Sequence, residues 1–116
     1  MSIPDATVLD RLFRTLEERR DADPGSSYTA QLLKSGAERV AQKLGEEALE
    51  TVLAGVAQRR EGVVGESADL LFHLLVLWVS AGVAPGEVWA ELERRQGTSG
   101  IAEKARRATA TERGKP

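Results

Sequence analysis

The sequence predicts an all-α protein: a helical bundle of four main helices with a central antiparallel hairpin, completed by oligomerisation. Three observations carry that expectation. Apolar residues recur at helical spacing in four places, and no run of five or more residues alternates β-branched with polar side chains. Proline and glycine punctuate the gaps between those stretches. The third stretch is apolar on nearly every side from Leu70 to Val79, which marks a helix buried all round. Three other substantial helices cannot cover it, so a dimer or tetramer is expected.

The elements follow in order. Leu9, Leu12, Phe13 and Leu16 form an i, i+3, i+4, i+7 stripe on a first helix over about residues 5–21, closed by Pro24 and Gly25. A short helical piece spans Thr29 to Lys34. The second long helix, residues 37–59, sets Val40, Leu44, Ala48, Val52 and Val56 down one side, the side expected to be buried. The glycine-rich text RREGVVG reads as the turn into a third helix over residues 64–81. Pro85 suits the first position of a fourth helix, with Glu87 in its first turn and Gly97 after its end. Ser99 is the N-cap of one last short helix. Residues 1–108 are thus expected to be one domain and 109–116 a disordered tail. Trp78 and Trp89 read as core or subunit-contact residues.

Composition narrows the chemistry. No cysteine is present, which excludes disulfides, thiolate nucleophiles and Cys-ligated zinc. One histidine, His73, excludes a multi-histidine metal site. The N-terminus lacks a basic segment followed by an apolar one, and the run Leu70 to Val79 falls short of the ~20 residues that span a bilayer. A cytoplasmic protein without a membrane partner is expected. Residues 1–93 carry 9 basic and 16 acidic side chains, a net of −7, whereas residues 94–116 carry 7 and 2, a net of +5. An acidic body is a poor nucleic-acid binder. It suits a polyanionic small molecule held through a metal, with the basic tail closing over it. The plainer reading of the tail is an ordinary basic C-terminus.

Glu46, Glu47 and Glu50 stand within about one turn of the second helix. Like charges at that spacing cost roughly 0.2–0.5 kcal/mol per pair. A solvated acidic face explains them if helix two is taken alone. Glu66 and Asp69, at i, i+3 near the start of helix three, change the balance, because the hairpin brings both groups to one end. With the turn centred at residues 60–61, Asp69 comes level with Val52, and Glu50 lies within a turn of it. Oxygen ligands alone suit a hard cation, and Mg²⁺ fits. A ferritin-like di-iron site needs Glu-x-x-His, which the chain does not contain. His73 shares the face of Glu66 and Asp69, and reads either as a core histidine or as a group orienting a carboxylate.

Glu-Glu-x-x-Glu followed, after fifteen residues, by Glu-x-x-Asp resembles the MazG-type all-α nucleotide pyrophosphohydrolases. The texts KLGEEALE, ADLLFHLLVL and SGIAEKARR are similar to the phosphoribosyl-ATP pyrophosphohydrolase family in particular. The resemblance implies hydrolysis of phosphoribosyl-ATP to phosphoribosyl-AMP and pyrophosphate, the second step of histidine biosynthesis. It implies Glu47, Glu50, Glu66 and Asp69 as Mg²⁺ ligands, with Glu46 orienting or deprotonating the attacking water. Lys43, Lys104 and Arg107 are candidates for phosphate contact. The chain opens on helix one and lacks the cysteines of the cyclohydrolase often fused to this family, so a standalone form is expected. The acidic motif alone equally permits a house-cleaning enzyme acting on noncanonical or pyrimidine nucleoside triphosphates. A reading of another class is a non-enzymatic helical interaction module using the Leu70–Val79 surface.

Overall fold

A computed structural model describes residues 3–113. The order of elements is α1 (Thr7–Arg19), α2 (Tyr28–Lys34), α3 (Ala37–Val56), α4 (Arg60–Ala81), α5 (Pro85–Arg95) and α6 (Gly100–Arg113), with no strand among the described residues. The chain divides between Pro85 and Gly86 into two compact units, where one domain over 1–108 was expected. α6 continues to Arg113, so residues 109–113 are helical rather than a tail. Residues 114–116 lie outside the described residues.

In the first unit α4 is the central element, packed on α1, α2 and α3. Phe13 and Leu16 of α1, Ala30 and Leu32 of α2, Val40 and Ala54 of α3, and Leu75, Val76 and Val79 of α4 make its core. Ser27 caps α2 by accepting from the Ala30 N–H at 3.2 Å. α4 spans 22 residues, with mean hydropathy 1.5 over its most apolar stretch, long and apolar enough by composition to cross a membrane. It packs on α1, α2 and α3, but it is not buried on every side as expected: only 28% of that stretch is buried, and Leu71 is 41% exposed.

The turn between α3 and α4 differs from the expected one. It comprises Ala57, Gln58 and Arg59, and RREGVVG lies almost wholly inside α4. Both helices of the hairpin end at their C-termini on the same device. Gln58 takes a left-handed φ of 55°, its N–H bonds to the Gly55 carbonyl, and the Arg59 N–H reaches the Ala54 carbonyl at 3.2 Å. Gly82, at φ 73°, repeats this after α4, with the Val83 N–H on the Trp78 carbonyl at 2.9 Å. Arg20 adds a bond from Nη2 to the Val79 carbonyl at 2.6 Å. Gly62 sits where the helices converge: a Cβ there would meet the Cβ atoms of Arg59 and Ala54 at 3.4 and 3.5 Å.

The buried face of α3 also differs. Val40 and Ala54 are buried, whereas Val52 and Val56 are 58% and 79% exposed. Each i+4 step advances about 40° around a helix. The Val40–Leu44–Ala48–Val52–Val56 line therefore starts against α4 and spirals to the opposite side. The face that meets α4 runs through Val40, Glu47, Thr51 and Ala54. Leu49, Val52, Leu53 and Val56 form an exposed apolar stripe opposite it.

The second unit contains α6 and most of α5. Ser99 Oγ accepts from the Ala102 N–H at 3.1 Å, capping α6 as the sequence indicates. The helices are tied together by charge: Glu103, 5% exposed, accepts from Arg94 at 2.7 Å and from Arg106 at 3.1 Å.

Candidate metal centre

Moving the turn from residues 60–61 to Gln58 changes which residues face each other. Positions in an antiparallel hairpin pair about a constant sum, so Asp69 comes level with Glu47 rather than Val52. Glu66 comes level with Glu50 and Thr51. The side chains agree: Thr51 Oγ1 lies 3.1 Å from the Glu66 carbonyl oxygen. One carboxylate oxygen from each of Glu47, Glu66 and Asp69 lies within 4.8 Å of the other two. Glu47 and Glu66 are half-buried and Asp69 is exposed. No Lys or Arg among the described residues pairs with any of the three.

Of the other predicted ligands, Glu50 is exposed and is not one of this trio. Glu46 is exposed and pairs with Lys43 at 3.1 Å. The hydrogen bond to Glu46 and its charge hold the Lys43 ammonium above its ordinary value. Lys43 lines a cavity of about 360 Å³ with Tyr28, Gln31, Leu32, Ser35 and Arg39. Arg39 stands at i−4 from Lys43, a spacing legible in the sequence but not singled out there. A larger cavity, about 670 Å³, lies near the C-terminal end of α4 beside Arg20 and Pro24, and none of the carboxylates lines it. Lys104 and Arg107 belong to α6 in the second unit, both exposed, with Arg107 Nε 3.7 Å from Glu103 Oε1.

His73 is buried and doubly bonded. Nδ1 is 2.9 Å from the Asp69 carbonyl, and Nε2 is 3.2 Å from the Tyr28 hydroxyl. A carbonyl only accepts, so Nδ1 carries the proton; in the neutral ring Nε2 then accepts from Tyr28 O–H. The core reading of His73 holds, and its bond to the residue that bears a site carboxylate goes with it.

The donor set is all oxygen, anionic, half-open to water and without an internal cation. Those properties fit a hard divalent ion that keeps part of its water shell.

Comparison with known proteins places this hairpin in a family. The model of the phosphoribosyl-ATP pyrophosphohydrolase family matches residues 9–96, a span that includes all three carboxylates. The chain belongs to the phosphoribosyl-ATP pyrophosphohydrolase family. It is 53% identical over 104 residues to the phosphoribosyl-ATP pyrophosphatase of Paramagnetospirillum magneticum, covering 90% of this chain and 95% of that one. With the enzyme of that name from Parvibaculum lavamentivorans it shares 58% over 103 residues, covering 89% and 94%. For the Granulibacter bethesdensis relative the figures are 57% over 101 residues, 87% of this chain and 63% of that protein's length. The matched span covers the first unit from residue 9 and all of α5, while α6 lies wholly beyond residue 96.

Proposed function

We propose that the protein hydrolyses phosphoribosyl-ATP between its α and β phosphates, giving phosphoribosyl-AMP and pyrophosphate, in histidine biosynthesis in the cytoplasm. The observation that carries the reading is the uncompensated trio of Glu47, Glu66 and Asp69 on a hairpin inside the family's matched span. Those three residues, with Glu50, would hold Mg²⁺, which would supply charge neutralisation for the phosphate oxygens and the leaving pyrophosphate. Glu46, exposed and next to Glu47 in sequence, orients the attacking water and takes its proton as oxygen bonds to the α phosphorus and the bridging P–O bond breaks. Lys43 and Arg39, lining one cavity on the same helix, receive substrate phosphate. No membrane or nucleic acid enters this reading.

A second copy of the chain covers the exposed stripe Leu49, Val52, Leu53 and Val56, whose exposures of 50–79% are unusual for four neighbouring large apolar residues. Sedimentation equilibrium is expected to give a dimer or tetramer, and a single-chain mass at micromolar concentration would exclude this.

The function is tested by Mg²⁺-dependent pyrophosphate release from phosphoribosyl-ATP, dUTP and dCTP side by side. Preference for phosphoribosyl-ATP is expected. Preference for a pyrimidine triphosphate would make the protein a house-cleaning enzyme, and release from none would leave the interaction module.

A further inference from the structure

Thr51 stands one turn after Glu47 on α3 and is half-buried. Its Oγ1 lies 2.8 Å from the Glu47 carbonyl oxygen and 3.1 Å from the Glu66 carbonyl oxygen of α4. A hydroxyl has one proton to give, and a carbonyl only accepts, so that proton is shared between the two bonds or alternates between them. The bond to Glu47 is the ordinary i−4 contact of a helical threonine. The bond to Glu66 has no role within either helix. It ties the backbone of α3 to that of α4, and both carbonyls belong to residues whose carboxylates form the trio.

We propose that Thr51 is a positioning residue for the metal centre, a clip that fixes the Glu47 carboxylate relative to those of Glu66 and Asp69. The proposal rests on the metal reading given above. Three like charges within one turn of each other push the two helices apart, and apolar packing resists that without fixing axial register, because it is non-directional. A hydrogen bond is directional and loses most of its strength when bent or stretched. The Arg59 N–H on the Ala54 carbonyl ties the hairpin beside its turn. Thr51 is the next fixed point towards the carboxylates. A serine would supply the same hydroxyl, and a valine would fill the same space without it.

The test compares wild type, Thr51→Val and Thr51→Ser as full chains, by calorimetric titration with Mg²⁺ alone and by melting without metal. Loss of groups that orient metal ligands typically weakens metal affinity 10–100-fold. Thr51→Val is expected to bind Mg²⁺ about tenfold more weakly, to melt close to wild type without metal, and to regain most of its turnover at saturating Mg²⁺. Thr51→Ser is expected to restore the affinity. Unchanged Mg²⁺ affinity in Thr51→Val would overturn the clip, as would a serine variant as defective as the valine one. A wild type that binds no Mg²⁺ would instead remove the metal reading, and the clip with it.

Discussion

The two units treat clustered carboxylates in opposite ways. In the second unit Glu103 is nearly fully buried, yet four guanidinium groups surround it: Arg94 at 2.7 Å, Arg106 at 3.1 Å, Arg95 at 3.6 Å and Arg107 at 3.7 Å. Glu91 shares three of those arginines. In the first unit Glu47, Glu66 and Asp69 converge on one another with no cation of their own. The chain has arginine in supply, so the contrast lies in where it is placed. Self-neutralised carboxylates hold helices together, and the structure needs nothing from solution to keep them. Carboxylates left with only each other for company have their repulsion relieved only by an ion from outside, and that coupling makes a fold respond to a ligand.

The contrast breaks most sharply at Asp69. Asp69→Asn is expected to cut pyrophosphate release by about 100-fold or more. It also removes one like-charge contact, so the metal-free protein gains a few tenths of a kcal/mol. Melting with and without millimolar Mg²⁺ checks both at once. Wild type gains stability with metal concentration, and the variant loses most of that response. Equal responses, with hydrolysis retained, would make the trio a solvated acidic face.

Glu103→Gln is the counterpart. It is expected to loosen the pairing of α5 with α6 and to leave the Mg²⁺ response of the first unit unchanged. Acid sharpens the test. Hydrogen bonds from Arg106 and then Arg94 hold the Glu103 carboxyl at about 2 instead of 4.5, and bonds from Arg94 and then Arg95 hold Glu91 at about 2 likewise. Both carboxyls are depressed, so their contribution is fully present above pH 4.5 and is lost as pH falls through the window towards 2. Circular dichroism of wild type should lose helix across that window. Glu103→Gln should show a shallower loss there, with the part due to Glu91 remaining.

The smallest expected effect lies between the clusters' helices. Gln58 occupies a left-handed position at φ 55° that favours glycine. Gln58→Gly should stabilise by roughly 0.5–1 kcal/mol, with unchanged Mg²⁺ affinity, read from denaturant midpoints. A loss of Mg²⁺ affinity would show that the turn residue itself sets carboxylate register.

That residue also explains what could and could not be read from the sequence. The all-α class, the cap at Ser99 and the acidic positions are local signals, legible one turn at a time. The α3–α4 turn was misplaced because glycine is the ordinary helix stop, and here Gly62 lies inside α4 while Gln58 makes the reversal. The partners of Glu47 followed from that register, so they shifted with it. The buried face of α3 was misjudged because an i+4 series drifts around the helix, and only a partner helix decides which part of it is covered. Glu91 and Glu103 stand twelve residues apart, one in the acidic body and one in the basic tail, and nothing in the sequence spacing pairs them.

The shortness of the Ala57–Arg59 connection has a consequence for how the protein assembles. All three carboxylates lie between positions 47 and 69, so bringing them together closes one short loop and costs little chain entropy. Hairpins of this kind form early, before more distant contacts such as that of Arg20 with Val79. The repulsion among the carboxylates is therefore met on the way up the folding barrier rather than after it. A cation that screens them would act on the transition state, and in stopped-flow measurements Mg²⁺ is expected to hasten refolding more than it slows unfolding.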